Sequence, residues 1–138
     1  MSLNILAVHD QITAKLNELP QNVYETTPPE DAKLAFDSNG IMLPYIVVEY
    51  TDMDQTADGN GITGARYDSG QSSAFVTCVA PTERAARQVA GAVRDKLVGF
   101  KPTDAGQLVQ FGGTIDYDGR TNRYFAELVF TFVVNTSW

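Results

Sequence analysis

The segment from Arg123 to Asn135 constrains this chain more than any other. Tyr124, Ala126, Leu128, Phe130, Phe132 and Val134 are apolar at every second position. That period places them on one face of an extended strand, and a face so uniformly apolar has to be buried. Phe125, Val129 and Val133 share the opposite face with Glu127 and Thr131. One strand cannot bury its own face, so the rest of the chain must supply both pairing partners and a covering layer.

The pairing partners are readable as short runs with the same period. Residues 44–51 form one, with Ile46, Val48 and Tyr50 on one side and Tyr45, Val47 and Glu49 on the other. Residues 72–80 form a second, apolar on both faces and therefore central. Residues 21–26 predict a short strand around Val23, Tyr24 and Glu25, ended by Pro28 and Pro29. Residues 106–111 and 114–117 read as two short pieces separated by a turn or bulge at Gly112 and Gly113. Asp118-Gly119 is a turn dipeptide in which Asp bonds its own backbone, so Asp116 and Asp118 read as turn residues rather than as a paired acid and base. Residues 30–39 fit either a helical turn or an irregular loop, with a turn at Asn39-Gly40.

The covering layer comes from two amphipathic helices. Ile5, Val8, His9, Ile12, Leu16 and Leu19 share one stripe of a helix over residues 3–19, with Ser2 as its N-cap and Pro20 as its stop. Thr82 caps a second helix whose stripe is Ala85, Ala86, Val89, Ala90, Val93 and Leu97, and Gly99 closes it. The expected fold is α+β: a mostly antiparallel, twisted sheet of four to five strands with two amphipathic helices packed on one face. At 138 residues, with no repeat and no linker, residues 1–138 read as a single domain.

Charge and composition then exclude whole classes of function. Seventeen acidic residues against ten basic ones give a net charge of −7. Nucleic-acid affinity comes from neutralising phosphates with Lys and Arg, so specific nucleic-acid binding is not expected, and neither is a polybasic membrane contact. One cysteine and one histidine rule out an internal disulfide, a cysteine zinc cage and most triad arrangements. No segment reads as a targeting signal or as an apolar membrane span, and the expected setting is soluble, in a reducing cytoplasm. No enzyme activity, no cofactor and no metal are expected.

Individual candidates support that reading. His9 lies on an apolar stripe with no second ligand nearby, which favours a packed histidine. Glu49, Asp52, Asp54 and Asp58 cluster in sequence, but Thr56 stands where a calcium loop needs its third oxygen ligand, and the closing Glu is missing. The run Gly59 to Gly64 lacks the Lys-Ser/Thr ending of a phosphate loop. Ser72, Ser73 and Thr77 show no base and orienter pattern.

Two features remain that suit contact rather than chemistry. Residues 52–71 are rich in Asp and Gly and almost without apolar anchors, which predicts a long flexible loop or a hairpin extension, Gly61 to Thr63 pairing with Arg66 and Tyr67. Arg84, Arg87 and Arg94 fall on one exposed face of the second helix. A basic helix on an acidic chain suits an acidic neighbour, and a second copy offering Asp52, Asp54 and Asp58 would make a head-to-tail contact that closes into a ring when the rotation fits.

The chain resembles the tail terminator (tail completion) proteins of long-tailed bacteriophages. The resemblance rests on an N-terminal amphipathic helix followed by Pro44-Tyr-Ile-Val-Val-Glu-Tyr50. It continues with Phe75-Val-Thr-Cys-Val-Ala80 running into Thr82-Glu-Arg-Ala-Ala86, then Lys96-Leu-Val-Gly-Phe-Lys-Pro102, and ends with the strand from Arg123 to Phe132. It implies a structural virion protein that forms a ring, usually a hexamer, caps the tail tube, ends its polymerisation and joins the tail to the head connector. The implied partners are other copies of the chain, the tail tube protein and the head–tail connector protein. The implied location is the head-proximal end of the tail in the virion, and the host cytoplasm during assembly. DNA would pass the lumen without being held, which suits an acidic chain. No catalytic residues carry over. Asp52, Asp54, Asp58, Arg66, Tyr67, Arg84, Arg87 and Arg94 are the candidate protein-interaction residues.

Two other functions compete. One is a head–tail connector or stopper of the neck, with similar architecture and ring assembly. The other is a small apolar-ligand binding domain with Phe75, Phe130 and Phe132 around a pocket.

Overall fold

The computed structural model describes residues 5–25, 34–51, 54–55, 69–103, 105–120 and 122–135. The elements run α1 (Ile5–Leu16), β1 (Asn22–Glu25), β2 (Tyr45–Tyr50), β3 (Asp54–Gln55), β4 (Ser69–Ala80), α2 (Glu83–Leu97), β5 (Val109–Asp118) and β6 (Arg123–Asn135). The strands form a six-stranded sheet in the order β1-β2-β4-β6-β5, with the two-residue β3 pairing with the start of β4. Without that short strand the sheet has the upper number expected. The α+β architecture with a mostly antiparallel sheet is the one the sequence predicts.

The long apolar strand behaves as its period requires. β6 lies between β4 and β5, antiparallel to both, and its even-numbered residues Ala126, Leu128, Phe130 and Phe132 are buried. Register carries that face across the sheet: Phe130 sits opposite Ala74, Leu128 opposite Val76, and Ala126 opposite Cys78. Ile46 and Val48 of β2 extend it. Val8, Ile12 and Leu16 of α1 and Ala86, Val89, Ala90, Val93 and Leu97 of α2 close over this one face.

The helix ends follow their local chemistry. Thr82 Oγ1 accepts a hydrogen bond from the Ala85 amide at 3.1 Å, satisfying one of the unpaired donors of the first turn. Gly99 has φ +82°, the left-handed conformation that a side chain resists, and its amide donates to the Leu108 carbonyl. α1 stops at Leu16 rather than at Leu19. Its last turn tightens instead, with Glu18 and Leu19 amides donating to Lys15 and Leu16 carbonyls three residues back. Ser2 lies outside the described residues.

Two strand details go beyond the sequence expectation. β1 pairs with β2 in parallel, because the connection between them is long enough to cross over. Part of that connection, residues 34–43, lies on the sheet face away from the helices. There Leu34 and Met42 pack with Tyr45, Val47 and Val79 into a second, smaller core. The pieces expected at 106–111 and 114–117 are one strand, β5, with a bulge between Gln110 and Gly112. The extra residue restores the alternation on its far side, so Gln110, Gly113, Ile115 and Tyr117 all lie on the helix side. Gly113 is needed at this point: a Cβ there would stand 3.0 Å from Leu128 Cδ2 and 3.2 Å from the Glu127 carbonyl oxygen. β4 begins at Ser69, three residues earlier than the run 72–80 predicts.

Candidate interaction surface

Helix width and strand spacing decide what stays uncovered. Strands lie about 4.8 Å apart and a helix with its side chains is about 10 Å wide, so each helix roofs about two strands. α1 reaches β1 and β2 through Thr13, whose Oγ1 meets Glu25 Oε1 at 2.8 Å and Tyr50 Oη at 2.6 Å. α2 sits over β4 and β6. β5 is left at the rim with its helix side open.

The result is a groove of about 600 Å³ between α2 and β5. Ala90, Ala126 and Leu128 form its floor, Ile115 and Thr114 its outer side, and Arg87 and Arg94 its wall on α2. Arg94 Nε donates to Gln110 Oε1 at 2.9 Å across one end of the groove. Arg87 Nε lies 3.6 Å from Glu83 Oε1 along the exposed side of α2. Arg84 lies beside Arg87 in an adjoining depression. All three arginines are exposed. Beside them β5 presents Val109, Ile115 and Tyr117 with 61%, 41% and 54% of their surface open. Apolar side chains concentrated on an edge strand mark a contact surface.

The acidic half of the expected contact is described in part. The backbone of Asp54 pairs with Gln71 at the start of β4. Asp52, Asp58, Arg66 and Tyr67, the possible calcium loop, and the proposed pairing of Gly61 to Thr63 all fall outside the described residues. The stretch from Gln71 to Ala80, at about 3.3 Å per residue, spans about 30 Å. Arg84 follows Ala80 closely in sequence, so the backbone of Asp54 and the start of α2 stand at opposite ends of β4.

His9 has a role that its sequence did not disclose. Its ring stacks on Tyr50 with centroids 4.1 Å apart and meets Phe132 edge-on. Nε2 lies 3.4 Å from Ser72 Oγ. The sequence offers no base for Ser72, yet the fold puts one beside it. Ser72 is nevertheless buried, and its hydroxyl donates to the Thr51 carbonyl at 3.0 Å. With that proton committed, Nε2–H is the donor to Ser72. A hydroxyl so buried and already bonded to a backbone carbonyl fastens α1 to the sheet rather than serving as an activated nucleophile. Tyr50 Oη adds a hydrogen bond to the His9 carbonyl at 3.1 Å.

Phe130 and Phe132 are buried in the principal core, while Phe75 pairs opposite Glu49 and Val129 on the other side of the sheet. The three therefore line no common pocket, which removes the basis for the apolar-ligand reading. Among the described residues no group of three or more His, Cys, Asp or Glu is placed to hold a metal, and no helix is long and apolar enough to cross a membrane. Asp118 behaves as a turn residue, its Oδ1 accepting from the Arg120 amide at 3.0 Å.

The geometry defines a two-layer α+β fold whose distinctive surface is a basic, apolar-floored groove on an open sheet edge. No family model matches the chain, and no curated protein matches it. Among solved structures, a chain from the virion of a native gene transfer agent (GTA) particle shares the fold. It superposes with a TM-score of 0.58 at 21% identity, covering 94% of this chain and 92% of that chain.

Proposed function

We propose that this chain is a structural protein of a phage-type virion, forming a ring that caps the tail tube, ends its polymerisation and joins the tail to the head connector. The observation that carries the reading is the fold shared with a virion chain over nearly the whole length of both molecules. A fold match of that extent, to a protein that works as part of a particle, favours a protein acting through its surfaces. The groove with Arg87 and Arg94 supports the same conclusion, since it is exposed, basic and shaped for contact on a chain of net charge −7. The terminator role itself rests on the sequence resemblance.

In this reading the partners are other copies of the chain, the tail tube protein and the head–tail connector protein. The working place is the head-proximal end of the tail. An acidic ring would let DNA pass without gripping its phosphates. Residues 52–71 contribute to the tube or neighbour contact, and Arg84, Arg87 and Arg94 to the side between subunits.

A neck stopper or connector is the second reading, since it too would be a small virion protein of this fold. Electron microscopy of particles made without the protein separates the two. Irregular, overlong tails are expected for a terminator; tails of normal length that have failed to join heads would move the assignment to the neck. Binding of the purified chain to tail tubes, against portal complexes, gives the same division directly.

A further inference from the structure

We propose that copies of this chain join sheet edge to sheet edge, β1 of one copy pairing antiparallel with β5 of the next, so that Glu25 and Asp10 of one meet Arg87 and Arg94 of the other. In its closed form this contact rests on the ring reading above; the contact itself is argued from the two edges.

β1 and β5 are the two ends of the strand order. β1 and β2 are parallel, β4 opposes β2, β6 opposes β4 and β5 opposes β6. β5 therefore runs opposite to β1, and a second copy continuing the sheet in the same sense meets β5 as an antiparallel partner. Faces match as well. On β1, Val23 packs against the principal core and Glu25 reaches Thr13 of α1, so both lie on the helix side. On β5 the helix side carries Gly113 and Ile115. Continuing the sheet puts Val23 and Glu25 beside the open groove.

The helix layer fits the same join. α1 turns one flank to α2, where Glu18 meets Lys96 at 3.0 Å and Lys15 lies over Phe100. The other flank carries Thr13, with Leu6 and Asp10 seven and three residues before it on the same side. Leu6 is 67% exposed. A continued sheet brings this flank over β5, the strand that the two helices of one copy leave unroofed. Leu6 then covers apolar surface next to Ile115, and the carboxylates of Asp10 and Glu25 face the arginine wall.

Charge selects this arrangement over its alternative. Two β5 edges pairing with each other would set one arginine-walled groove beside another, a like-charge contact that a two-fold dimer cannot escape. Joining β1 to β5 replaces that repulsion with opposite charges. The contact is head-to-tail, so it propagates and closes into a ring or a filament according to its rotation.

The test uses the full chain with Glu25→Cys and Ile115→Cys together and a short bismaleimide. Both positions are at least partly exposed, and folding is checked by circular dichroism. Within one chain the two sites stand on opposite edges of five strands, about 19 Å or more apart at the usual strand spacing, beyond the reach of the linker. Covalent multiples of the 15.1 kDa chain are expected, with neither single variant giving a ladder. In parallel, Arg94→Glu should weaken self-association by about tenfold, and adding Glu25→Arg should recover most of that factor. Oligomers seen by native mass spectrometry without cross-linking, or without charge-swap recovery, overturn this contact and leave the ring reading standing. Monomers alone at millimolar concentration also overturn it. The ring reading is judged separately, by tail length in particles lacking the protein.

Discussion

Tyr50 and Cys78 show what burial does to single groups here. Cys78, fully enclosed on β4, has its thiol pushed up to about 12 by desolvation, so it stays protonated and unreactive at neutral pH. Burial also holds the Tyr50 phenol well above its ordinary range; the carboxylates of Glu25 and Asp10 add to the shift, and the Thr13 hydrogen bond opposes it. The consequence for stability has a definite sign. The unfolded chain releases this proton near pH 10 while the folded chain keeps it. The contribution is therefore complete below about pH 10 and is lost as pH rises beyond it. Denaturant midpoints should fall between pH 9 and about 11 for the native chain, and Tyr50→Phe should flatten part of that fall. An identical fall in the variant would place the alkaline sensitivity elsewhere. At the surface, the hydrogen bond from Lys96 and the charges of Lys15 and Lys96 hold the Glu18 carboxyl below its ordinary value. That tie joins α1 to α2 on an exposed side.

At the scale of elements, local chemistry accounts for α2 and β6 almost completely. Thr82, Gly99 and a stripe of Ala and Val specify α2 from its own residues, and period two specifies β6. β5 is different. Its glycines suggest a break, yet the bulge keeps it whole, because β6 offers a continuous edge on which both halves can pair. Gly113 is the residue on which this depends. Gly113→Val should destabilise the fold by about 1–3 kcal/mol, since the new side chain must displace Leu128 and crowd the Glu127 carbonyl. Chemical denaturation measures it, and a neutral substitution would show that β5 relaxes away from β6. The parallel pairing of β1 was equally hidden. Nothing in Asn22 to Glu25 says which neighbour it takes; the crossover and the second core under residues 34–43 decide that.

For the whole molecule, the mismatch between sheet and helices matters most. Two helices cannot roof the full width of the sheet, and the uncovered strip is where Arg87, Arg94 and Ile115 gather. Of the second expected contact region, the backbone of Asp54 and Gln55 pairs at the start of β4, the end away from α2. Deleting residues 55–68 should leave a folded protein, because the described residues of the principal core come from α1, β2, β4, α2, β6 and the 105–108 segment, while abolishing tail capping. Normal tail lengths in particles carrying the deletion would remove that segment from the proposed function.

The sequence by itself determined the class of fold, the two helices, the Thr82 cap and Gly99 close of the second, the central strands, and the placing of Arg84, Arg87 and Arg94 on one exposed face. Those features depend on period, on capping residues and on charge, which are properties of neighbours along the chain. Only the tertiary structure decided that the arginines wall an apolar groove, that His9 reaches Ser72 across the core, and that Phe75 lies on the far side of the sheet from Phe130. Each of these depends on register and on strand order, set by packing between residues far apart in sequence, and no local pattern encodes it.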